Sequence, residues 1–101
     1  MDKIKPLREK IDHLDLEILS LLAKRRKIAK QIGKIKKRDF RAVIDKNREL
    51  EAIKTRIKKA KELKIPKKLV SGLFKLIFTD SRQIQKKMIH ALTKTAKIDK
   101  I

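Results

Sequence analysis

The chain has 101 residues and a formal net charge of +19, and 41% of its residues are apolar against two Gly and two Pro, which describes one small folded helical domain with an acidic partner. The lack of cysteine excludes a disulfide framework, a thiolate nucleophile and a zinc ribbon. His13 and His90 lie too far apart in sequence for paired-ligand spacing, so both are expected to be solvent-facing and no metal site is expected.

The N-terminal MDKIKPLREKI is charged throughout, unlike a cleavable secretory signal, and no run approaches the ~20 apolar residues of a membrane span. A cytoplasmic location is therefore expected.

Leu7, Ile11, Leu14, Ile18 and Leu21, then Ile28, Ile32 and Ile35, recur in steps of four and three, which predicts one helix from about residue 4 to 37 with Pro6 in its first turn. At 1.5 Å per residue this helix is roughly 50 Å long. A compact domain of this length has a radius of gyration of only about 13 Å, so the helix projects unless something covers it. Residues 38 to 45, RDFRAVID, lose the helical period and form a loop, with Asp45 as N-cap of a second helix over 46 to 62. The second helix is expected to bury Leu50, Ile53, Ile57 and Ala60, with Glu49 near its positive end. LKIP ends it and Pro66 starts a third helix, to about residue 93, carrying Val70, Phe74, Ile77, Ile84, Met88 and Leu92 on its stripe. Residues 1 to 93 thus form the domain, and the tail KTAKIDKI, 94 to 101, is expected to fray.

The fold class is all-α, with one very long, one short and one medium helix. The second helix spans about 25 Å, half the length of the first, so a single chain leaves much of the first helix's apolar seam facing water. A homodimer with the long helices packed together is the expected remedy.

Polar residues interrupt these stripes. Arg25 occupies the slot where the next Leu or Ile of the first helix belongs, and Lys36, eleven residues on, is close to three full turns away and points from nearly the same side. Ser81 and Gln85 make a polar notch in the third helix, and Asp45, Arg48 and Glu49 stand at the mouth of the second. An arginine at such a position can set helix register or snorkel to solvent, and a lone lysine is ordinarily solvated. Cations, a carboxylate and a neutral amide at seam edges of three helices are costly to bury without partners, and a bound anion would give them a reason. Arg8 lies seventeen residues before Arg25, roughly 25 Å away, and reaches such a cavity only from the other member of an antiparallel pair.

LREKID at 7 to 12, LLAKRRKIAKQIGKIK at 21 to 36, DKNRE at 45 to 49 and LFKLIFTDSRQIQ at 73 to 85 together resemble the all-helical chorismate mutases. The resemblance implies an intertwined three-helix homodimer with shared active sites that rearranges chorismate to prephenate, without a cofactor. It implies that Arg25, and Arg8 of the other subunit, hold the substrate carboxylates. Lys36 and Gln85 would donate to the ether oxygen. Glu49, helped by the Asp45 backbone, would accept from the ring hydroxyl, and Arg48 and Ser81 would line the wall near a carboxylate. Ala42 stands where relatives often carry Pro, which implies a more mobile loop.

Two alternatives remain open. An isochorismate pyruvate lyase of the same fold lacks the DxxRE pattern that Asp45, Arg48 and Glu49 supply here. A basic nucleic-acid binder suits the charge, but three Phe with no Tyr or Trp leave few stacking platforms, and only eight of the 31 basic residues are Arg. Neither nucleic acid nor a membrane is the expected partner; a free basic helix at a membrane surface would need residues 21 to 37 unpacked.

Overall fold

The structure is a computed structural model that describes residues 2–99, with side chains described for residues 2–90. Three helices follow one another: α1 (Lys5–Arg38), α2 (Lys46–Glu62) and α3 (Lys67–Asp99). The first two match the expected bounds within a residue. α3 runs to Asp99, beyond the expected end near 93; Leu92 has no described side chain, and Lys100 and Ile101 lie outside the described residues.

Local chemistry sets the helix ends. The Asp2 carboxylate accepts from the backbone N–H groups of Ile4 (2.9 Å) and Lys5 (3.3 Å), satisfying donors at the start of α1 where Pro6 fits. α1 stops when Phe40 turns left-handed (φ 54°), so that the Arg41 N–H donates to the Lys36 carbonyl at 2.8 Å and the Phe40 N–H to that of Lys37 at 3.3 Å. Asp45 caps α2 as expected, its side chain accepting from the Arg48 N–H at 3.0 Å. α2 ends as α1 does, with Lys64 left-handed (φ 59°) and the Ile65 N–H on the Ala60 carbonyl at 2.8 Å.

α3 packs against both α1 and α2, while those two do not pack against each other. A cleft therefore opens between α1 and α2 with α3 as its floor. The contact faces use small residues: Ala29 and Gly33 are buried on α1, and Ala52 and Ala60 on α2. At Gly33 a Cβ would stand 3.1 Å from the Gln85 Cα and 3.3 Å from the Met88 Cβ, so the missing side chain is what lets α1 lie this close to α3. Val70 and Ile84 complete the buried apolar set among the described residues.

Leu50 departs from expectation, being 57% exposed. It sits about 200° around α2 from Ala52, so the helix that docks through Ala52 turns Leu50 outward. Ala60 is buried as expected, whereas Ile53 and Ile57 are only half-buried. The α1 stripe stays in water: Leu7, Ile11, Leu14, Ile18 and Leu21 are all more than half exposed. The molecule is elongated accordingly, with a radius of gyration of 18.5 Å.

Candidate active site

The cleft has a volume of about 560 Å³, within the range of about 300–1,000 Å³ usual for small-ligand pockets. Each helix supplies one face of it by helical spacing. Arg25, Ile28, Ile32 and Lys36 come from α1, Asp45, Arg48 and Glu49 from the mouth of α2, Ala52 and Arg56 from further along it, and Phe78, Ser81, Arg82 and Gln85 from α3. Seven of the eight expected site residues therefore converge on one cavity. Arg8 does not line it; it is exposed in the N-terminal part of α1.

Arg25 is half-buried, donates from Nη1 to the Ser81 hydroxyl, and carries its guanidinium over the Phe78 ring, 5.8 Å from the centroid. The Ser81 hydroxyl in turn donates to the Ile77 carbonyl at 3.1 Å, which fixes it on α3. Burial holds the Arg25 guanidinium below its ordinary value; the Arg56 charge pushes the same way, Asp80 opposes, and Arg48 adds to the lowering. Asp80 makes its own ion pair with Arg26 at 3.1 Å, on the exposed side.

At the other end of the cleft, Lys36 Nζ donates to the Val43 carbonyl at 2.7 Å, tying the loop back to α1. Burial also holds the Lys36 ammonium below the usual lysine value, with Asp45 opposing, Arg41 reinforcing and Glu49 opposing. Glu49 is clamped by Arg82, whose Nη1 lies 3.1 Å from Oε1 and 3.4 Å from Oε2, while Arg82 Nη2 donates to the Thr79 hydroxyl at 3.2 Å. Gln85 is 7% exposed, and its Oε1 is buried with no hydrogen-bond partner among the described residues. An unmet buried amide oxygen is costly, and a half-turn of the amide exchanges it for two N–H donors.

Arg41, Arg56 and Arg82 also line the cleft, although sequence reasoning did not single them out. The signal for two of them was present: Phe78, Ser81, Arg82 and Gln85 follow i, i+3, i+4, i+7 spacing, and Glu49, Ala52 and Arg56 follow i, i+3, i+7. Six cations thus face the cavity against two carboxylates, Asp45 and Glu49. Such a surplus over apolar walls suits a small organic polyanion. Among the described residues no three His, Cys, Asp or Glu side chains are grouped to hold a metal ion.

An all-helical protein with an arginine- and lysine-lined cleft shaped for a small organic acid is the class that fold and site define. Residues 7–86 match the chorismate mutase type II family, and the chain belongs to that family. It is 37% identical over 83 residues to the bifunctional chorismate mutase/prephenate dehydratase of Escherichia coli, covering 82% of this chain and 22% of that protein. The protein of the same description from Aquifex aeolicus is 38% identical over 74 residues, 73% of this chain and 19% of its own length. The chain thus spans about a fifth of these bifunctional relatives. The chorismate mutase of Methanocaldococcus jannaschii is 30% identical over 90 residues, 88% of this chain and 90% of that protein.

Proposed function

We propose that this chain is a chorismate mutase, converting chorismate to prephenate by an intramolecular Claisen rearrangement. The observation that carries the proposal is the convergence of Arg25, Lys36, Glu49 and Gln85, from all three helices, on one cleft in a chain of this family. One C–O bond breaks and one C–C bond forms within a single molecule, with no proton transfer and no leaving group. The site has to select a compact chair-like conformer and stabilise negative charge that grows on the ether oxygen.

Arg25 grips a substrate carboxylate, its orientation fixed by Ser81 and by stacking on Phe78. Arg48 and Ser81 line the wall beside a carboxylate. Glu49, held by Arg82, accepts from the ring hydroxyl near the Asp45 backbone. Lys36 turns from the Val43 carbonyl to the ether oxygen, where its attraction increases as charge develops, and Gln85 donates its amide N–H to the same atom. At about 3 kcal/mol per donor, two or three such contacts approach the ~8 kcal/mol of a modest enzymatic acceleration.

A homodimer completes the site in this proposal. The exposed apolar stripe of α1 is the surface that pairs, and the antiparallel partner carries Arg8 to the cleft as a second carboxylate ligand. No described helix is long and apolar enough to cross a membrane, and the enzyme acts in the cytoplasm. The test is purified protein with chorismate, following prephenate formation, beside Lys36→Ala. Turnover by the wild type and its loss in the variant are expected. A wild type without turnover, or an unaffected variant, refutes the proposal.

A further inference from the structure

We propose that Arg56, acting with Arg25, grips one substrate carboxylate from within the same subunit, making it a binding residue additional to Arg8 and Arg25. The inference rests on the mutase assignment and extends it to a specific third guanidinium.

Five observations support it. Arg56 lines the same cleft as Arg25, two turns into α2 from Glu49. It is half-buried, and its guanidinium lies over the Phe74 ring at 5.7 Å from the centroid, a platform that fixes the plane of the fork. Its Nη1 donates backward, to the Thr55 hydroxyl at 2.9 Å and to the Ala52 carbonyl at 3.4 Å. Nε and Nη2 have no hydrogen-bond partner among the described residues, and Arg56 forms no ion pair with a described carboxylate. Finally, Arg56 is the charge that bears most strongly on Arg25, and it is of like sign.

Two guanidiniums that face one cavity, neither in an ion pair with a described carboxylate, repel each other and forgo their strongest hydrogen bonds. A planar carboxylate between the two forks removes both costs, since each fork can present N–H donors to it. The aromatic platforms are built alike: Arg25 lies over Phe78 and Arg56 over Phe74, neighbours one turn apart on α3 with ring centroids 5.9 Å apart. The spacing of those rings holds the two forks on the same side of α3, opposite the end where Lys36 stands.

The experiment is steady-state kinetics with chorismate on wild type, Arg56→Met, Arg56→Gln and Arg56→Lys, with folding followed by circular dichroism. Methionine keeps an apolar stem over Phe74 while removing the charge. A contact made equally in ground and transition states raises KM and leaves kcat nearly alone. Arg56→Met and Arg56→Gln are expected to raise KM between about tenfold and a hundredfold with kcat within about threefold, and Arg56→Lys to recover part of the loss. Lys54→Met, on the exposed side of α2, removes the same charge and is expected to leave KM unchanged. An unchanged KM in a folded Arg56→Gln protein overturns the inference while wild-type turnover leaves the mutase assignment standing. Equal effects at Lys54 and Arg56 overturn it as well, because they would reduce Arg56 to a long-range charge. A wild type without turnover overturns both.

Discussion

Arg25 and Ser81 meet across the α1–α3 packing, guanidinium Nη1 donating to the hydroxyl, which in turn donates its own hydrogen bond to the Ile77 carbonyl. The serine thus holds the arginine by a lone pair, and the arginine keeps its other N–H groups for a ligand. Ser81→Ala is expected to lower kcat/KM about five- to thirtyfold, mainly through KM, the value of one hydrogen bond to a charged group at about 1–2 kcal/mol. Arg25→Met is expected to lower it a hundredfold or more.

The same arginine predicts an opposite effect on stability. Burial and the Arg56 charge both disfavour the charged Arg25 guanidinium in the folded chain. Removing that charge with Arg25→Met, which keeps a stem over Phe78, is expected to raise the thermal midpoint while activity is lost. A lowered midpoint would mean that the stacking on Phe78 and the bond to Ser81 outweigh the desolvation. Thermal unfolding of the two proteins at equal concentration decides it.

Much of this was legible in the sequence because helical periodicity exposes any residue that breaks it. Arg25 stood in an apolar slot, and Ser81 and Gln85 made a notch, so all three were visible as exceptions. Asp45 announced the start of α2 through its capping chemistry, which the structure bears out. Arg56 and Arg82 were not legible in that way. They share the helical spacing of Ser81, Gln85 and Glu49 but sit beside the apolar stripes in a chain where nearly a third of the residues are basic, so that spacing stands out only once α1 and α2 are seen to diverge around the cleft. Leu50 failed for a related reason: periodicity gives a face but not which of two adjacent faces docks. α2 leans on α3 through Ala52 and Ala60, and the larger side chain turns out.

Lys36 ties activity to pH. Its ammonium is held below the usual lysine value of 10.5, chiefly by burial. Activity that needs the charged amine is expected to fall on the alkaline side at a lower pH than an ordinary lysine would give. For stability the sign is reversed: between the folded and unfolded pKa values the unfolded chain binds more protons, so the Lys36 contribution to stability rises with pH there. Comparing the wild type with Lys36→Met isolates both effects. The variant should lose activity at every pH, and the unfolding free energy of the wild type relative to the variant should rise with pH through that window. A wild-type alkaline limb no lower than that of a free lysine would refute the assignment of Lys36 as the ether-oxygen donor.

Gly33 couples packing to chemistry. An added Cβ would meet the Gln85 backbone at 3.1 Å, tighter than ordinary contact, so the helices must part by a few tenths of an ångström or α3 must shift Gln85. Strain of about 1–3 kcal/mol is then partly offset by the ~1 kcal/mol helix preference of Ala over Gly. Gly33→Ala is expected to change unfolding free energy by no more than about 2 kcal/mol, yet, if Gln85 is the ether-oxygen donor proposed above, to lower kcat more than KM rises. An increase in KM alone would show that the shift acts on the carboxylate end instead.

The stripe on α1 decides the oligomeric state. Leu7, Ile11, Leu14, Ile18 and Leu21 are between 54% and 63% exposed, a continuous apolar seam along half of a 34-residue helix. Exposed seams of this size draw a partner, and in the proposed dimer an antiparallel copy would bring Arg8 to the far cleft. Sedimentation is expected to show a dimer, and Leu14→Glu, which places a carboxylate in the seam, is expected to give a monomer with little activity. Mixing inactive Arg8→Ala and Lys36→Ala proteins provides the sharper measurement. In a heterodimer one cleft receives both defects and the other neither, so activity returns in the mixture although each parent is dead. A stable wild-type monomer with full activity would remove Arg8 from the site and leave Arg25 and Arg56 as the carboxylate ligands of a single chain.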